Sequence, residues 1–362
     1  MQKERISAFQ FFTMLFISRT LTTVTYLSSY TKNVRLSDML VQPIFRISMG
    51  ILIMLPLYFI YKKQNRVDIL EIAREKSKAL TSLFSFCYVF AFFYFTVVTI
   101  ARLDVFAGTV VFPETDIDFM IVFAILLCAY GAYLGFEALG RSAVLSAILV
   151  IPALIFIMAT LIKKVDLLNL TPVFYNGVTP VIKTAIDSVG QTVEYGVIAL
   201  CLPKVAGNYK KGFFIWLILQ TLLMAIMFFF AATVMGNFAS TQLFPFHTLA
   251  SLAEFAMFDR LDAIFTSVWI LCAFIKAGLL IYLQADILHK NFLSFKKKYL
   301  IVGIAVVTII ANLLIATEFR WFSLIDNSVV KIIVTTITGF VIPLCVLILK
   351  GKGRVAECER QP

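Results

Sequence analysis

Residues 187–196 read Asp187-Ser188-Val189-Gly190-Gln191-Thr192-Val193-Glu194-Tyr195-Gly196, a polar stretch at the centre of an apolar run over 181–202. A run of about 20 apolar residues is the length that crosses the hydrocarbon of a bilayer. Hydroxyls, an amide and a carboxylate in the middle of such a run are costly in lipid, so they face a cavity or a partner. Gly190 and Gly196 allow the helix to unwind there and offer free backbone N–H and C=O groups to a ligand. The stretch therefore predicts a membrane helix broken near its midpoint, with the break lining a polar site.

Working outward, nine further apolar runs lie near 8–30, 38–61, 81–106, 118–137, 142–162, 211–235, 262–286, 299–316 and 328–349. The composition agrees. Of 362 residues 60% are apolar and 15% charged, against about 45–50% and about 25% in soluble proteins. Ten spans of about 20 residues would absorb nearly all of that apolar content. The ~10-residue alternation of membrane β-barrels is missing. The first run opens with Ser7-Ala8-Phe9-Gln10, a capping-box pattern; it is too long for a signal peptide, and no A-x-A site follows it. The expectation is an all-α polytopic membrane protein with ten transmembrane helices, forming one integral membrane domain.

The net charge of +11 would suggest nucleic acid in a soluble protein. Here it follows the positive-inside rule. With the N-terminus inside, twenty Lys and Arg fall in inner segments and nine in outer segments or span edges, among them Arg102 and Lys331. Arg19, Arg46 and Lys276 lie within spans. Both termini are then cytoplasmic, and 351–362 form a cytoplasmic tail. The outer loop with Glu114, Asp116 and Asp118 is acidic. Segments 66–79 and 246–258 read as helices lying on the inner and outer membrane surfaces. Ten spans divide into halves of about 1–165 and 175–350. Span 1 starts inside and span 6 starts outside, a 5+5 inverted repeat, and such repeats place a ligand where the first helix of each half breaks.

Span 1 carries Ser18-Arg19-Thr20-Leu21-Thr22-Thr23 and span 8 carries Lys276. Counted from the outer boundaries, Arg19, Glu194 and Lys276 lie at depths of about 17, 20 and 21 Å at the helical rise per residue. One turn covers all three, so Glu194 can pair with Arg19 or Lys276, leaving the other cation for an anionic ligand group. The candidate ligand residues are Ser18, Arg19, Thr20, Thr22, Thr23, Ser188, Gly190, Gln191 and Glu194, with Lys276 on the charge path; a purely structural ion pair is the competing reading. Arg46 is near enough to its span end to snorkel. Tyr88, Tyr94, Thr96 and Thr99 offer pocket groups on span 3. Gly131 and Gly135 form a G-x-x-x-G packing motif, and Glu137 and Arg141 pair at i,i+4. The six cysteines form no CxxC pair and read as small hydrophobes. His247 and His289 are the only histidines, and hydrolase, nucleotide and metalloprotease motifs are lacking. No enzyme, metal, cofactor or nucleic-acid partner is expected.

Several stretches resemble the B-type subunits of bacterial spore germinant receptors, a branch of the amino acid–polyamine–organocation transporter superfamily. They are Ile6-Ser7-x-x-Gln10, Tyr133 through Arg141 with its G-x-E-x-x-x-R element, and the run from Phe244-Pro245 through Phe258-Asp259-Arg260-Leu261-Asp262 to Trp269-Ile270 and Phe274-Ile275-Lys276. The resemblance implies a LeuT-type fold with spans 1 and 6 discontinuous and a small nutrient, typically an amino acid, bound at the break. It implies companion membrane and lipoprotein subunits in a spore inner membrane. An ion- or proton-coupled amino-acid permease of the same fold is the alternative. Relatives carry glycines where span 1 breaks; this chain has Ser18-Arg19-Thr20.

Overall fold

The computed structural model describes residues 5–25, 37–63, 68–111, 117–172, 174, 177–255, 260–291 and 295–349. The tail 351–362, Glu114 and Asp116, and residues 256–258 lie outside them. The helices in order are α1 (Ala8–Val24), α2 (Gln42–Lys63), α3 (Ile69–Lys76), α4 (Lys78–Phe106), α5 (Ile117–Leu134), α6 (Phe136–Leu161), α7 (Thr179–Gly190), α8 (Glu194–Cys201), α9 (Tyr209–Phe230), α10 (Pro245–Ser251), α11 (Asp262–Asn291), α12 (Lys297–Ala316), α13 (Phe319–Ile325) and α14 (Ser328–Thr336). Two short strands, β1 (Ile6–Ser7) and β2 (Val205–Ala206), pair in parallel.

Among the described residues seven helices are long and apolar enough to cross a membrane: 38–62, 78–111, 136–164, 209–241, 262–291, 297–316 and 320–349. Residues 119–134 form a shorter apolar helix. Each of the ten runs read in the sequence contains helix, but α1, with 17 residues, and α7 and α8, with 12 and 8, fall below that length. The outward faces are apolar. Leu145, Ile148, Leu149 and Ile155 of α6 are 62–65% exposed, a pattern that is stable only against lipid. The chain is a multi-pass membrane protein.

The start of α1 follows the capping-box reading. The Gln10 amide donates to Ser7 Oγ at 3.1 Å and the Ser7 amide to Gln10 Oε1 at 3.2 Å, so two orphan donors are satisfied reciprocally. α11 is the central post: it packs against α1, α4, α5, α6, α10 and α12. α1 lies between α11, α6 and α9, while α7 packs on α14 and α2. This arrangement faces the middle of α1 toward the junction of α7 and α8.

Several expectations change in detail. α1 runs unbroken through Ser18–Thr23, so the interruption expected at Ser18-Arg19-Thr20 is not there. That stretch has no glycine or proline, and the Thr20 hydroxyl donates to the Phe16 carbonyl at 2.8 Å within the helix. In the other half, α7 stops at Gly190 and α8 begins at Glu194. Gly196 is inside α8, not in the interruption. A Cβ there would lie 3.1 Å from Thr338 Oγ1, so this glycine serves close packing.

Gly135 has φ of 98° and forms the turn from α5 to α6, a conformation that favours glycine. Glu137 and Arg141 therefore belong to the start of α6 rather than to the end of span 4; their exposed i,i+4 pair has an N–O distance of 2.5 Å. Gly131 does serve helix packing, since a Cβ there would be 2.8 Å from Phe274 Cζ. α3 lies within the expected surface segment 66–79 and buries Ile69, Leu70, Ile72 and Ala73. α10 occupies only the first part of 246–258. Cys128, Cys201 and Cys272 are buried and Cys87 and Cys345 half-buried, all as free thiols; Cys358 lies outside the described residues.

Candidate functional site

Three helices bring Ser18, Glu194 and Lys276 together. The Ser18 hydroxyl donates to Glu194 Oε1 at 2.6 Å, and Lys276 Nζ donates to the same oxygen at 3.2 Å. Lys276 also donates to Thr22 Oγ1 at 2.8 Å. The ion pair is sealed from solvent: Glu194 is 0% exposed and Lys276 3%. A buried carboxylate in this setting needs a paired cation and hydrogen-bond donors, and Oε1 has both. Among the described residues Oε2 has no hydrogen-bond partner.

Arg19 is used differently from either sequence alternative. Its guanidinium donates to the carbonyls of Ser188 at 2.9 Å and Gln191 at 3.0 Å, with a longer 3.3 Å contact to Ser188 Oγ. These carbonyls belong to the last turn of α7, where no helical partner remains for them. A cation there also meets the negative end of the helix dipole. Arg19 is therefore the C-terminal cap of α7, and Glu194 takes Lys276. The Thr335 hydroxyl completes the cap by donating to the Gly190 carbonyl at 2.5 Å.

Beside this cluster lies a narrow cavity of about 20 Å³ between the side chains, room for about one water. Of the sequence candidates, Thr22, Gln191 and Lys276 line it. Ser18, Arg19, Ser188 and Glu194 form the layer behind. Thr20 faces α9, where Gln220 Nε2 contacts its hydroxyl at 3.4 Å. The Thr23 hydroxyl is buried without a partner among the described residues. Gly190 packs against Ile332, whose backbone Cα would lie 2.9 Å from an added Cβ. Thr99 also reaches the cavity, whereas Tyr88 and Tyr94 donate to the carbonyls of Thr338 and Ile325 elsewhere.

The rest of the wall comprises Leu21, Thr25, Phe95, Val98, Arg102, Trp269 and Lys331. Arg102 and Lys331 were read as outer-edge charges, yet they are 8% and 1% exposed. They share Asp326. Arg102 Nε reaches Asp326 Oδ1 at 3.1 Å and Nη2 reaches Oδ2 at 3.3 Å; Lys331 Nζ contacts Oδ1 and donates to the Asp326 carbonyl at 3.0 Å. Arg102 Nη1 approaches Gln191 Oε1 at 3.4 Å. The missed signal is the length of α4, which a π-helical turn extends to Val111. Arg46 does not snorkel. It is fully buried, with one donor on Met224 Sδ at 3.2 Å and Nε and Nη2 lacking partners among the described residues.

Among the described residues no group of three or more His, Cys, Asp or Glu converges as metal ligands would. The arrangement gathers paired cations and hydroxyls around a water-sized space. No curated relative matches the chain. A solved structure of MhsT in complex with L-phenylalanine is similar at a TM-score of 0.59 and 11% identity, covering 96% of this chain and 99% of that one. The chain thus has the LeuT-type fold expected above. A family model described as spore germination protein matches residues 5–320, nearly the whole described bundle. By that match, the chain belongs to the spore germination protein family.

Proposed function

We propose that the chain is the ligand-sensing membrane subunit of a spore germinant receptor. It binds a small nutrient such as an amino acid at the membrane midplane, between the middle of α1 and the α7–α8 junction. The observation that carries this reading is the convergence of Ser18, Glu194 and Lys276 beside a cavity lined by Thr22 and Gln191. In this reading α1 and the α7–α8 pair complete a set of ten spans with both termini cytoplasmic. Residues 1–165 and 175–350 form inverted halves of one membrane domain, with 351–362 as its tail. The interruption between α7 and α8 is the ligand-facing break, and Ser18, Arg19, Thr20, Thr23, Ser188 and Gly190 support the lining from behind. Companion membrane and lipoprotein subunits relay the signal in the spore inner membrane.

The test is a thermal-shift screen of the purified chain against amino acids, sugars and nucleosides. A ligand at 100 times its dissociation constant stabilises by about 2.7 kcal/mol if it binds only the folded state. Cysteines placed at Thr22 and Gln191 should be shielded from small thiol reagents by the responding ligand. Indifferent labelling at both positions would move the site elsewhere. Reporter fusions after Lys164 and Lys204 should show opposite sidedness; equal signals would sink the topology. A second reading, an ion- or proton-coupled permease, is favoured by the fold shared with MhsT. Substrate uptake by the chain alone in liposomes distinguishes it.

A further inference from the structure

Away from the central site, a cavity of about 220 Å³ opens between α2 and α9. One wall is a single face of α2, from Ile51 through Leu55 and Tyr58 to Tyr61. At the helical rise that face makes a slot about 15 Å long. The first turns of α9 form the facing wall with Tyr209, Phe213 and Phe214, and Ile198 and Leu202 at the end of α8 form the floor. Ile51, Leu55, Tyr58 and Phe214 are also 40–52% exposed. The slot therefore opens sideways on the apolar outer face of the bundle, where lipid lies.

The slot is apolar along its length and basic at its rim. The Tyr61 hydroxyl is engaged, donating to the Ala199 carbonyl at 3.3 Å, and its ring meets that of Tyr209 at 6.2 Å. Lys210 is the one charged residue of the lining, with Nζ 5.1 Å from the centre of the Tyr58 ring. Lys62 ends the span 38–62 and Lys211 lies in the first turn of α9, both exposed. Among the described residues none of these three lysines has a carboxylate at salt-bridge distance. Their charge is left for an anion from outside the chain. A helix of another protein packs through small residues that let backbones approach, and the lining contains no Gly, Ala, Ser or Thr. A flexible apolar chain with an anionic head fits both the bulky walls and the basic rim.

We propose that the slot between α2 and α9 binds an anionic phospholipid, with one acyl chain laid along α2 and the phosphate held by Lys210, Lys62 and Lys211. The topology proposed above puts this end of the bundle inside, so the lipid comes from the inner leaflet. Its chain rests on Ile198 and Leu202 and so packs directly on α8, the helix that begins with Glu194. The inference is independent of what the central site binds.

The experiment is native mass spectrometry of the purified full-length protein in detergent, given equal amounts of dioleoyl phosphatidylglycerol and dioleoyl phosphatidylcholine. The wild type should retain the phosphatidylglycerol at least about fivefold over the phosphatidylcholine, the worth of one lysine at an anionic surface. Lys210→Gln should lower that preference by about fivefold. Leu55→Trp, at an exposed position of the wall, fills the slot and should lose the retained lipid while Lys210 is intact. Glycerol 3-phosphate, the head without chains, should not displace it. Equal retention of the two lipids by the wild type overturns the inference, and this comparison decides alone if a variant does not fold. Retention unchanged in Leu55→Trp overturns it by placing the lipid on the surface, and displacement by glycerol 3-phosphate overturns it in favour of a free phosphate site. A second protein chain that Leu55→Trp releases overturns it by making the slot a subunit interface.

Discussion

Lys276 and Glu194 meet between α11 and α8, with Nζ 3.2 Å from Oε1 and both side chains almost wholly out of solvent. The ammonium supplies the charge that lets a carboxylate exist at this depth, and Ser18 adds a second donor. Removing one partner of a buried pair costs about 3–5 kcal/mol, because the other charge is left uncompensated. Lys276→Met should lower the folding stability of the detergent-solubilised protein by that order. The double variant Lys276→Met/Glu194→Gln should recover most of the loss, since it buries no charge. A double variant as unstable as the single one would show that the pair holds nothing together.

Lys276 of α11 places a fixed ammonium between Thr22 of α1 and Glu194, so Glu194 needs no mobile cation to balance its charge. Ligand-induced stabilisation of the wild type is therefore expected to be equal in sodium and potassium buffers of the same ionic strength. A strict sodium requirement would refute this role for Lys276.

Arg19 holds two carbonyls at the end of α7 from a neighbouring helix. Lysine keeps the charge but lacks the planar fork that reaches both. Arg19→Lys should speed amide hydrogen exchange across 191–196 at least several-fold, and Arg19→Met should cost about 1.5–3 kcal/mol, the worth of a hydrogen bond to a charged group. Unchanged exchange in both variants would remove the cap.

Gly190 ends α7 in contact with the backbone of α14. A Cβ would sit 2.9 Å from Ile332 Cα and 3.0 Å from its nitrogen, and backbone cannot swing aside as a side-chain tip can. Gly190→Ala should therefore cost about 1–3 kcal/mol by overpacking. Thermal unfolding of the variant equal to wild type would show that α7 and α14 separate freely.

His247 sits on α10 with its ring edge-on to Phe106 and Phe265, at centroid distances of 5.5 and 6.0 Å. Burial pushes the imidazole below its ordinary value of 6.5; Arg260 acts in the same direction and Asp262 opposes. The unfolded chain then binds more protons than the folded one near that pH, so stability falls as pH drops through about 6.5 toward the folded value. His247→Phe should flatten the loss of thermal stability between about pH 7 and 5. An unchanged pH slope would place the titration elsewhere.

The membrane class, the helical runs and the common depth of Arg19, Glu194 and Lys276 were legible in the sequence, because depth along a span follows from residue number and helical rise. It did not show which cation Glu194 would choose. That choice depends on rotation about the helix axis, and α1 turns Arg19 toward the α7 carbonyls while Ser18 faces the carboxylate. Arg102 and Lys331 were hidden for another reason. A charge near the end of an apolar run has the composition of a loop boundary, but the π-helical extension of α4 and the placement of α13 before α14 carry these residues inward. The continuity of α1 was also concealed: hydroxyl-rich segments can satisfy either a broken backbone or an intact helix, and here Thr20 bonds back to Phe16.

The parallel pair of β1 and β2 aligns Ile6 with Val205 and Ser7 with Ala206. It splices the entry of α1 to the exit of α8 through main-chain hydrogen bonds, independent of side-chain identity. The two helices that contribute Ser18 and Glu194 are thereby yoked at one end of the bundle. A movement that parts the start of α1 from the end of α8 breaks the main-chain hydrogen bonds of this ladder.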